Sequence, residues 1–372
     1  MSASTDENNE RIVNRGRLAG ALIMILALAA SILAAQPAAA KAPSDFFGVF
    51  AESPSKRDYR GMGDAGFGAT RVPVNWAAIQ TSRKGPYDWH SSDQGVYNSA
   101  KRGMRPALVV YGTPNFVHKS TKKGLYGPKS KADLKAWRKF SEALARRYSP
   151  NGDFFDAVPE IDNLPVKNWI AWNEQNSKNN WAPKPDPRAY GKLVKAFDDG
   201  ISKVDPKARI VLGGMYGFPR DSKSMKATKF LKRLYKVKGI AKHFDAVNSH
   251  PYGSGVSDVK RQVNDLRSVA RRAGDRNAGV LVGELGWASK GPSRSESVVG
   301  KQGQAKRLRD GLKLLVKKRK AWNVLGAYVY SWRDFPDGQL ACNWCPWSGL
   351  LTKKSKPKPA LKAVTKVIRK NR

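Results

Sequence analysis

Short apolar runs alternate with longer segments of mixed polarity from residue 44 onward. The runs predict eight strands, each nearly continuous in apolar residues, as is typical of parallel strands buried on both faces. They are Phe46–Phe50, Ala69–Val74, Arg105–Tyr111, Asn168–Trp172, Arg209–Gly213, Phe244–Ser249, Gly279–Gly283 and Val324–Trp332.

The segments between these runs carry apolar residues at helical spacing. In one of them Asp186 and Pro187 supply an N-cap and a first-turn proline, and apolar residues then recur every three or four positions up to Pro206. Eight strands that each precede a helix predict an α/β fold, the (β/α)8 or TIM barrel, over residues 44–372. The triad Gly61, Gly63 and Gly66 matches a dinucleotide-binding pattern, but it precedes a strand instead of following one, which excludes that interpretation.

Residues 1–40 have the layout of an export signal. Three arginines precede an uncharged apolar run at 18–35, and three alanines before Lys41 supply a cleavage site. The run is also just long enough to span a bilayer, so an uncleaved membrane anchor is the alternative. In both cases we expect a secreted or cell-surface protein.

The chain is strongly basic, with 68 Lys and Arg against 30 Asp and Glu and a net charge of +38. The first 40 residues hold three basic and three acidic residues, so the whole excess belongs to the remainder. This charge fits attraction to a polyanion such as an anionic cell-wall polymer, and it fits a generic solvated surface equally well. No groove-reading helix or aromatic RNA-binding motif supports nucleic acid as a partner.

The two cysteines, Cys342 and Cys345, stand in the short sequence C-N-W-C. Because export implies an oxidising compartment, we expect a local disulfide. A zinc site would need a second ligand pair, and no His, Asp and Glu cluster has ligand spacing. The sequence therefore predicts neither a metal nor a cofactor.

Polar residues collect where the predicted strands end, which is where barrel enzymes carry their sites. Strand four ends in Asn173-Glu174 and strand seven in Gly283-Glu284. Strand two carries Arg71, strand six runs into His250 and Tyr252, and strand eight ends in Tyr330-Ser331-Trp332. Two carboxyl groups that face one pocket are the equipment of glycoside hydrolysis, in which one is protonated and the other ionised.

The motifs W-N-E-Q-N, H-P-Y, G-E-L-G-W and S-W resemble, in order and strand placement, the retaining glycoside hydrolases of clan A. The likeness is to the cellulase-like family five and the xylosidase and iduronidase family thirty-nine, and it covers nearly all of the chain after residue 44. The segment Y-G-T-P-N-F after strand three lacks the His that many cellulase-like members carry.

The resemblance implies a role for each matching residue. Glu174 would be the general acid/base and Glu284 the nucleophile of a retaining reaction. Asn173 would bind the sugar hydroxyl beside the anomeric carbon, and Arg71 and Tyr252 would hold the nucleophile. His250 would hydrogen-bond within the pocket, and Trp332 would be a platform for the sugar.

Further tryptophans near predicted strand ends are candidates for stacking on sugar faces. Trp76 and Trp287 are assigned to substrate binding with Trp332, whereas Trp181 and Trp344 fit a packed loop equally well. We therefore expect a monomeric glycosidase acting on a poly- or oligosaccharide. Its carboxyl groups should lie about 5 to 5.5 Å apart, since inversion needs about 6.5 Å or more. A catalytically silent barrel that binds carbohydrate or anionic cell wall is the alternative.

Overall fold

The computed structural model describes residues 41–118, 126–219, 221–336 and 342–372. Within these ranges the predicted barrel is confirmed, and the strand bounds differ from the predicted ones by no more than two residues. The strands are β1 (Phe47–Phe50), β2 (Ala69–Asn75), β3 (Arg105–Tyr111), β4 (Asn168–Ala171), β5 (Arg209–Leu212), β6 (Ala246–His250), β7 (Gly279–Leu285) and β8 (Val324–Tyr330).

All pairings between neighbouring strands are parallel, and they close a ring. β1 pairs with both β2 and β8, which joins the start of the barrel to its end. β5 meets β6 through the single pair Val211 and Ala246, and a two-residue strand, Met215–Tyr216, extends the edge of β6. Closure leaves no free sheet edge within the barrel.

One long helix follows each strand and covers the outside of the barrel. These are α1 (Lys56–Asp64), α2 (His90–Ala100), α3 (Lys131–Tyr148), α4 (Pro187–Ile201), α5 (Ala227–Leu234), α6 (Val256–Arg272), α7 (Gly300–Lys318) and α8 (Pro359–Asn371). Side-chain N-caps start several of them. Asp186 accepts the amide hydrogens of Arg188 and Ala189, as its position before Pro187 predicted.

The barrel interior is filled by side chains from seven successive strands. Its core members are Ala69, Ala107, Val109, Ile170, Val211, Ala246, Leu281 and Tyr328. A Cβ atom at Gly48 on β1 would lie 2.2 Å from the ring of Tyr328. This glycine therefore makes room for Tyr328, which is the aromatic residue among these core members. The interior is thus a packed core, and a pocket can form only above it.

The two cysteines lie at disulfide distance in the segment after β8, and the predicted local pairing is confirmed at that level. The same segment is held from below by a buried ion pair, in which Lys358 Nζ contacts Asp334 Oδ1 at 2.6 Å. Burial lowers the pKa of Lys358, although the Asp334 carboxylate opposes that change. Lys358 also donates to the backbone oxygen of Trp347, so the pair fixes the position of the disulfide segment.

The two ends of the barrel meet at the face that carries the N-terminal ends of the strands. The amide of Ala42 donates to the carbonyl oxygen of Asn371 at 2.7 Å. The predicted export signal at 1–40 lies outside the described residues, and it stays a prediction. Within the described ranges, no helix combines the length and the apolar character needed to cross a bilayer.

Candidate active site

A cavity of about 1070 Å³ opens at the C-terminal ends of the strands. Phe50 on β1, Arg71 on β2, Tyr111 on β3, Glu284 on β7 and Tyr330 on β8 all line it. The cavity therefore lies at the face where the sequence predicted the site, directly above the packed interior.

The turn after β4 brings two consecutive side chains into this cavity. Neighbouring residues of a strand point to opposite faces, so a regular strand could not present both Asn173 and Glu174. Trp172 and Glu174 have positive φ angles of 78° and 46°, which break the alternation. This left-handed backbone is costly for residues other than glycine, and such strain is concentrated at functional sites. It is fixed by the Glu174 amide, which donates to the carbonyl of Gly214 at 2.9 Å.

Glu284 is buried and its carboxylate is held by charged and polar partners. Arg71 Nη1 donates to Oε1 and the Tyr252 hydroxyl donates to Oε2. Burial alone would raise the pKa of Glu284, but the charges of His250 and Arg71 and the two hydrogen bonds outweigh it and lower the pKa. Burial and the Glu284 charge raise the pKa of Tyr252 well above its usual value, so Tyr252 remains a donor. Glu284 is thus kept ionised.

Asn173 is oriented by the same arginine. Arg71 Nη2 donates to Asn173 Oδ1 at 2.9 Å, and because a guanidinium can only donate, the amide oxygen must face it. The amide NH₂ of Asn173 makes no hydrogen bond to any described residue and faces the cavity. Asn173 thus lines the cavity with an amide NH₂ that no described residue binds, and its role in sugar binding stays a prediction.

Glu174 has fewer partners and is more accessible than Glu284. His250 Nδ1 lies 3.0 Å from Oε1, and Asn180 Nδ2 donates to Oε2 at 3.1 Å. Its side chain is 23% exposed, against 10% for Glu284. No arginine or lysine of the described chain forms a salt bridge with it. The two carboxyl groups thus stand in unlike environments, which separates an acid from a base.

His250 lies between the two carboxyl groups. Its Nδ1 atom is 3.0 Å from Glu174 and 3.4 Å from Glu284, and its ring is buried. A Cβ atom at Gly214 would lie 1.8 Å from Nε2, so a glycine is required there. One ligand atom from each of the three side chains lies within 4.8 Å of the others, which is also the layout of a small cation site. Arg71 already pairs with one of the two carboxylates, Glu284.

The three tryptophans assigned to substrate binding do not line the cavity, and this assignment is corrected. Trp332 is 3% exposed and its indole donates to Asp58 on α1. Trp76 is fully buried in the outer core, and Trp287 is 1% exposed with its indole on the carbonyl of Gly253. A buried ring offers no face to a sugar, so these residues support the walls from behind.

Other aromatic residues line the cavity instead. Tyr330, two residues before Trp332, stacks on Phe50 with ring centroids 5.5 Å apart. Trp344, which stands between the two cysteines, packs edge-on against Tyr252 at 4.9 Å. The alternation of β8 could have revealed Tyr330, because it has the same parity as the interior residue Tyr328. Asn180, the partner of Glu174, does not lie at the end of a strand, so no strand pattern in the sequence could have identified it.

Removal of one partner of Glu284 should appear in the pH profile. In Tyr252→Phe the carboxylate loses a hydrogen bond that favours its charged form, so the pKa of Glu284 rises. If turnover needs ionised Glu284, the acidic limb of kcat/KM then shifts to higher pH. A pH series on one substrate measures the shift. A limb that stays in place would show that Tyr252 does not hold the reacting carboxylate.

Comparisons with solved structures find the same fold in carbohydrate-active proteins. A family 39 glycoside hydrolase from the gut symbiont Bacteroides cellulosilyticus WH2 superposes with a TM-score of 0.64 at 21% identity, over 88% of this chain and 64% of its own. A monomeric β-xylosidase from Caulobacter crescentus CB15 gives 0.60 at 18%, over 88% and 69%. The chain has the fold of these glycoside hydrolases.

A third structure extends the likeness to another family. A family 5 glycoside hydrolase from Streptomyces cattleya, in complex with Manb1-4GlcNAc, gives a TM-score of 0.59 at 16% identity, over 88% of this chain and 81% of its own. Neither a protein-family model nor a curated protein sequence matches the chain. The resemblance seen in the motifs is thus confirmed at the level of the fold. This chain spans less than two thirds of the length of the family 39 protein.

Proposed function

We propose that the protein is a retaining glycoside hydrolase, with Glu284 as nucleophile and Glu174 as general acid/base. The observation that carries this proposal is the pair of glutamates at the ends of β4 and β7. One oxygen from each lies within 4.8 Å of the other. Oxygens this close support the retaining geometry, in which the two carboxyl groups lie about 5 to 5.5 Å apart, over the inverting one, which needs about 6.5 Å or more.

The first step breaks the glycosidic bond and forms a glycosyl ester. The ionised Oε atom of Glu284 attacks the anomeric carbon, while protonated Glu174 gives its proton to the leaving oxygen. In the second step Glu174, now a carboxylate, takes a proton from water, and that water attacks the anomeric carbon and releases Glu284. The sugar leaves with the configuration it had at the start, and no cofactor enters the balance.

The surroundings of the two carboxyl groups support this division of roles. Arg71 and Tyr252 stabilise the charge that Glu284 needs before attack. Glu174 forms no salt bridge with a described arginine or lysine, and its greater exposure leaves it open to a leaving group and to water. The amide of Asn173 can donate to the hydroxyl beside the anomeric carbon, where hydrogen bonds strengthen as the oxocarbenium-like transition state forms.

The cavity size and its aromatic walls support a poly- or oligosaccharide as substrate. A volume of about 1070 Å³ can hold more than a single sugar ring. Tyr330, Tyr216 and Trp344 line it and offer apolar surface for stacking. We further propose that the protein works as an exported monomer, with its basic exterior in contact with anionic cell-wall polymers.

The test is hydrolysis of a panel of aryl glycosides and soluble polysaccharides, with the product anomer followed by NMR. Turnover of one sugar class with retention, lost in both Glu174→Ala and Glu284→Ala, is the expected result. Inversion would contradict the mechanism. Binding of glycans without any turnover would favour a silent carbohydrate-binding barrel.

A further inference from the structure

The cavity carries the opposite charge balance to the chain as a whole. The chain has more than twice as many basic as acidic residues, 68 against 30. Among the described residues that line the cavity, carboxylates outnumber basic side chains six to three, and none of the basic ones is a lysine. The six are Glu52, Glu174, Asp221, Asp258, Glu284 and Glu296. An acidic cavity in so basic a protein points to selection by charge.

Most of the charges around the cavity compensate one another. Arg71 is bonded to Glu284, and Arg261 contacts Asp258 at 2.5 Å while stacking over Phe218. Asp221 lies 3.8 Å from a lysine outside the cavity lining. These pairs leave little net charge where they stand.

Glu52 differs from these three paired carboxylates. It follows β1 by two residues and lines the cavity, yet it makes no hydrogen bond or salt bridge with any described residue. Its side chain is exposed to solvent. The desolvation that it still undergoes raises its pKa, with a smaller opposing effect from the Arg71 charge. Burial is the main cause of the raised pKa values of Tyr111 and Tyr330, which line the cavity with Glu52, and the Glu52 charge adds to both. A substrate in contact with these tyrosines therefore lies near a carboxylate that no described residue pairs.

We propose that Glu52 makes this site selective for neutral and amino sugars over uronic acids. The proposal rests on the proposed glycosidase function and names the substrate class of the same cavity. A uronate would bring a second negative charge near Glu52, whereas the ammonium of an amino sugar would supply the missing positive partner. For charges several ångströms apart at a partly exposed site, either effect changes kcat/KM about tenfold.

The basic exterior does not contradict this selectivity. At about 0.15 M salt the Debye length is about 8 Å, so charges on the outer helices are screened from the cavity, while Glu52 acts at short range. Anionic polymers can thus adhere to the outside of the barrel without their sugars entering the site. Surface adhesion and substrate choice are separate properties of this protein.

The experiment compares kcat/KM for four aryl glycosides of the same configuration: the parent sugar, its 2-amino and 6-amino forms, and its uronate. The set is run in the gluco, galacto and manno series at about 0.15 M salt. Wild type, Glu52→Gln and Glu52→Lys are measured, with Glu160→Gln as a control for loss of one carboxylate outside the cavity. For each variant, kcat/KM of a glycoside is divided by kcat/KM of the parent sugar. When this ratio is compared between variants, the intrinsic difference in reactivity between the two glycosides cancels.

Glu52→Gln should raise the uronate-to-parent ratio about tenfold and lower at least one amino-to-parent ratio by a similar factor. Glu52→Lys should go further in the same direction, and Glu160→Gln should match wild type. Turnover with ratios unchanged in both Glu52 variants, or a wild type that prefers the uronate, would overturn this inference alone. No turnover of any member or of the wider panel used to test the proposed function would overturn that function, and the selectivity with it. Turnover of the wider panel's polysaccharides or of its uronic substrates alone would overturn only the selectivity.

Discussion

Glu284→Gln should lower kcat by at least about 10⁴-fold while the protein stays folded. The amide has the shape of the carboxylate but cannot form the glycosyl ester. Its oxygen can still accept from Arg71, and the Tyr252 hydroxyl can turn to accept from the new NH₂. Steady-state hydrolysis measures the loss of kcat, and a thermal melt of the same sample shows whether the protein stays folded.

The control for this variant is Glu160→Gln, which makes the same chemical change on the exposed surface and should keep full activity. In Glu284→Gln the buried Arg71 loses its charged partner, so a lower melting temperature is expected. Loss of activity accompanied by unfolding at the assay temperature would not support the role. Residual turnover near the wild-type rate in a folded variant would contradict it.

Glu174→Ala should show a loss that depends on the leaving group. For a glycoside whose leaving group needs a proton, kcat should fall about 10² to 10⁴-fold, the usual contribution of general acid catalysis. For a dinitrophenyl glycoside, whose leaving group departs as a stable anion, formation of the glycosyl-enzyme should be almost unaffected. Parallel assays of the two substrates measure the difference.

Added azide separates the two glutamates further. In Glu174→Ala the ester on Glu284 can form, and azide can attack it from the side left open, so the glycosyl azide should have the configuration of the substrate. In Glu284→Ala azide would replace the nucleophile itself and give the opposite configuration. If the two variants gave these products in reverse, the assigned roles would have to be exchanged.

The barrel was predictable because parallel strands buried on both faces leave continuous apolar runs, and each run here is followed by helical spacing. The residues at the strand ends were predictable for the same reason. Glu284 and Tyr330 follow from where β7 and β8 stop, since parallel strands end at a common face. Arg71 lies within β2, four residues before its end. The error at Trp332 arose because the predicted strand ran two residues beyond Tyr330, where β8 ends.

Loop residues of the site could not be derived from a periodic pattern. Asn180 reaches Glu174 from six residues away through a turn, and Trp344 is placed by the disulfide and by the Lys358–Asp334 pair. Glu52 stands alone in the sequence A-E-S-P-S, with nothing to distinguish it from a surface carboxylate. Net charge does not describe the cavity, because composition averages over the outer helices and the residues that line the cavity.

The hydrogen bond between Ala42 and Asn371 brings the two ends of the barrel together, so the chain can be circularly permuted. A few residues would join position 371 to position 42, and the chain could be opened at Gly274, an exposed glycine between α6 and β7 with φ of 86° and no neighbour within 4 Å of a Cβ placed on it. Such a circular permutant would keep all eight strand–helix units. Both new ends would emerge where β7 begins, away from the mouth of the cavity, which suits attachment to a solid support.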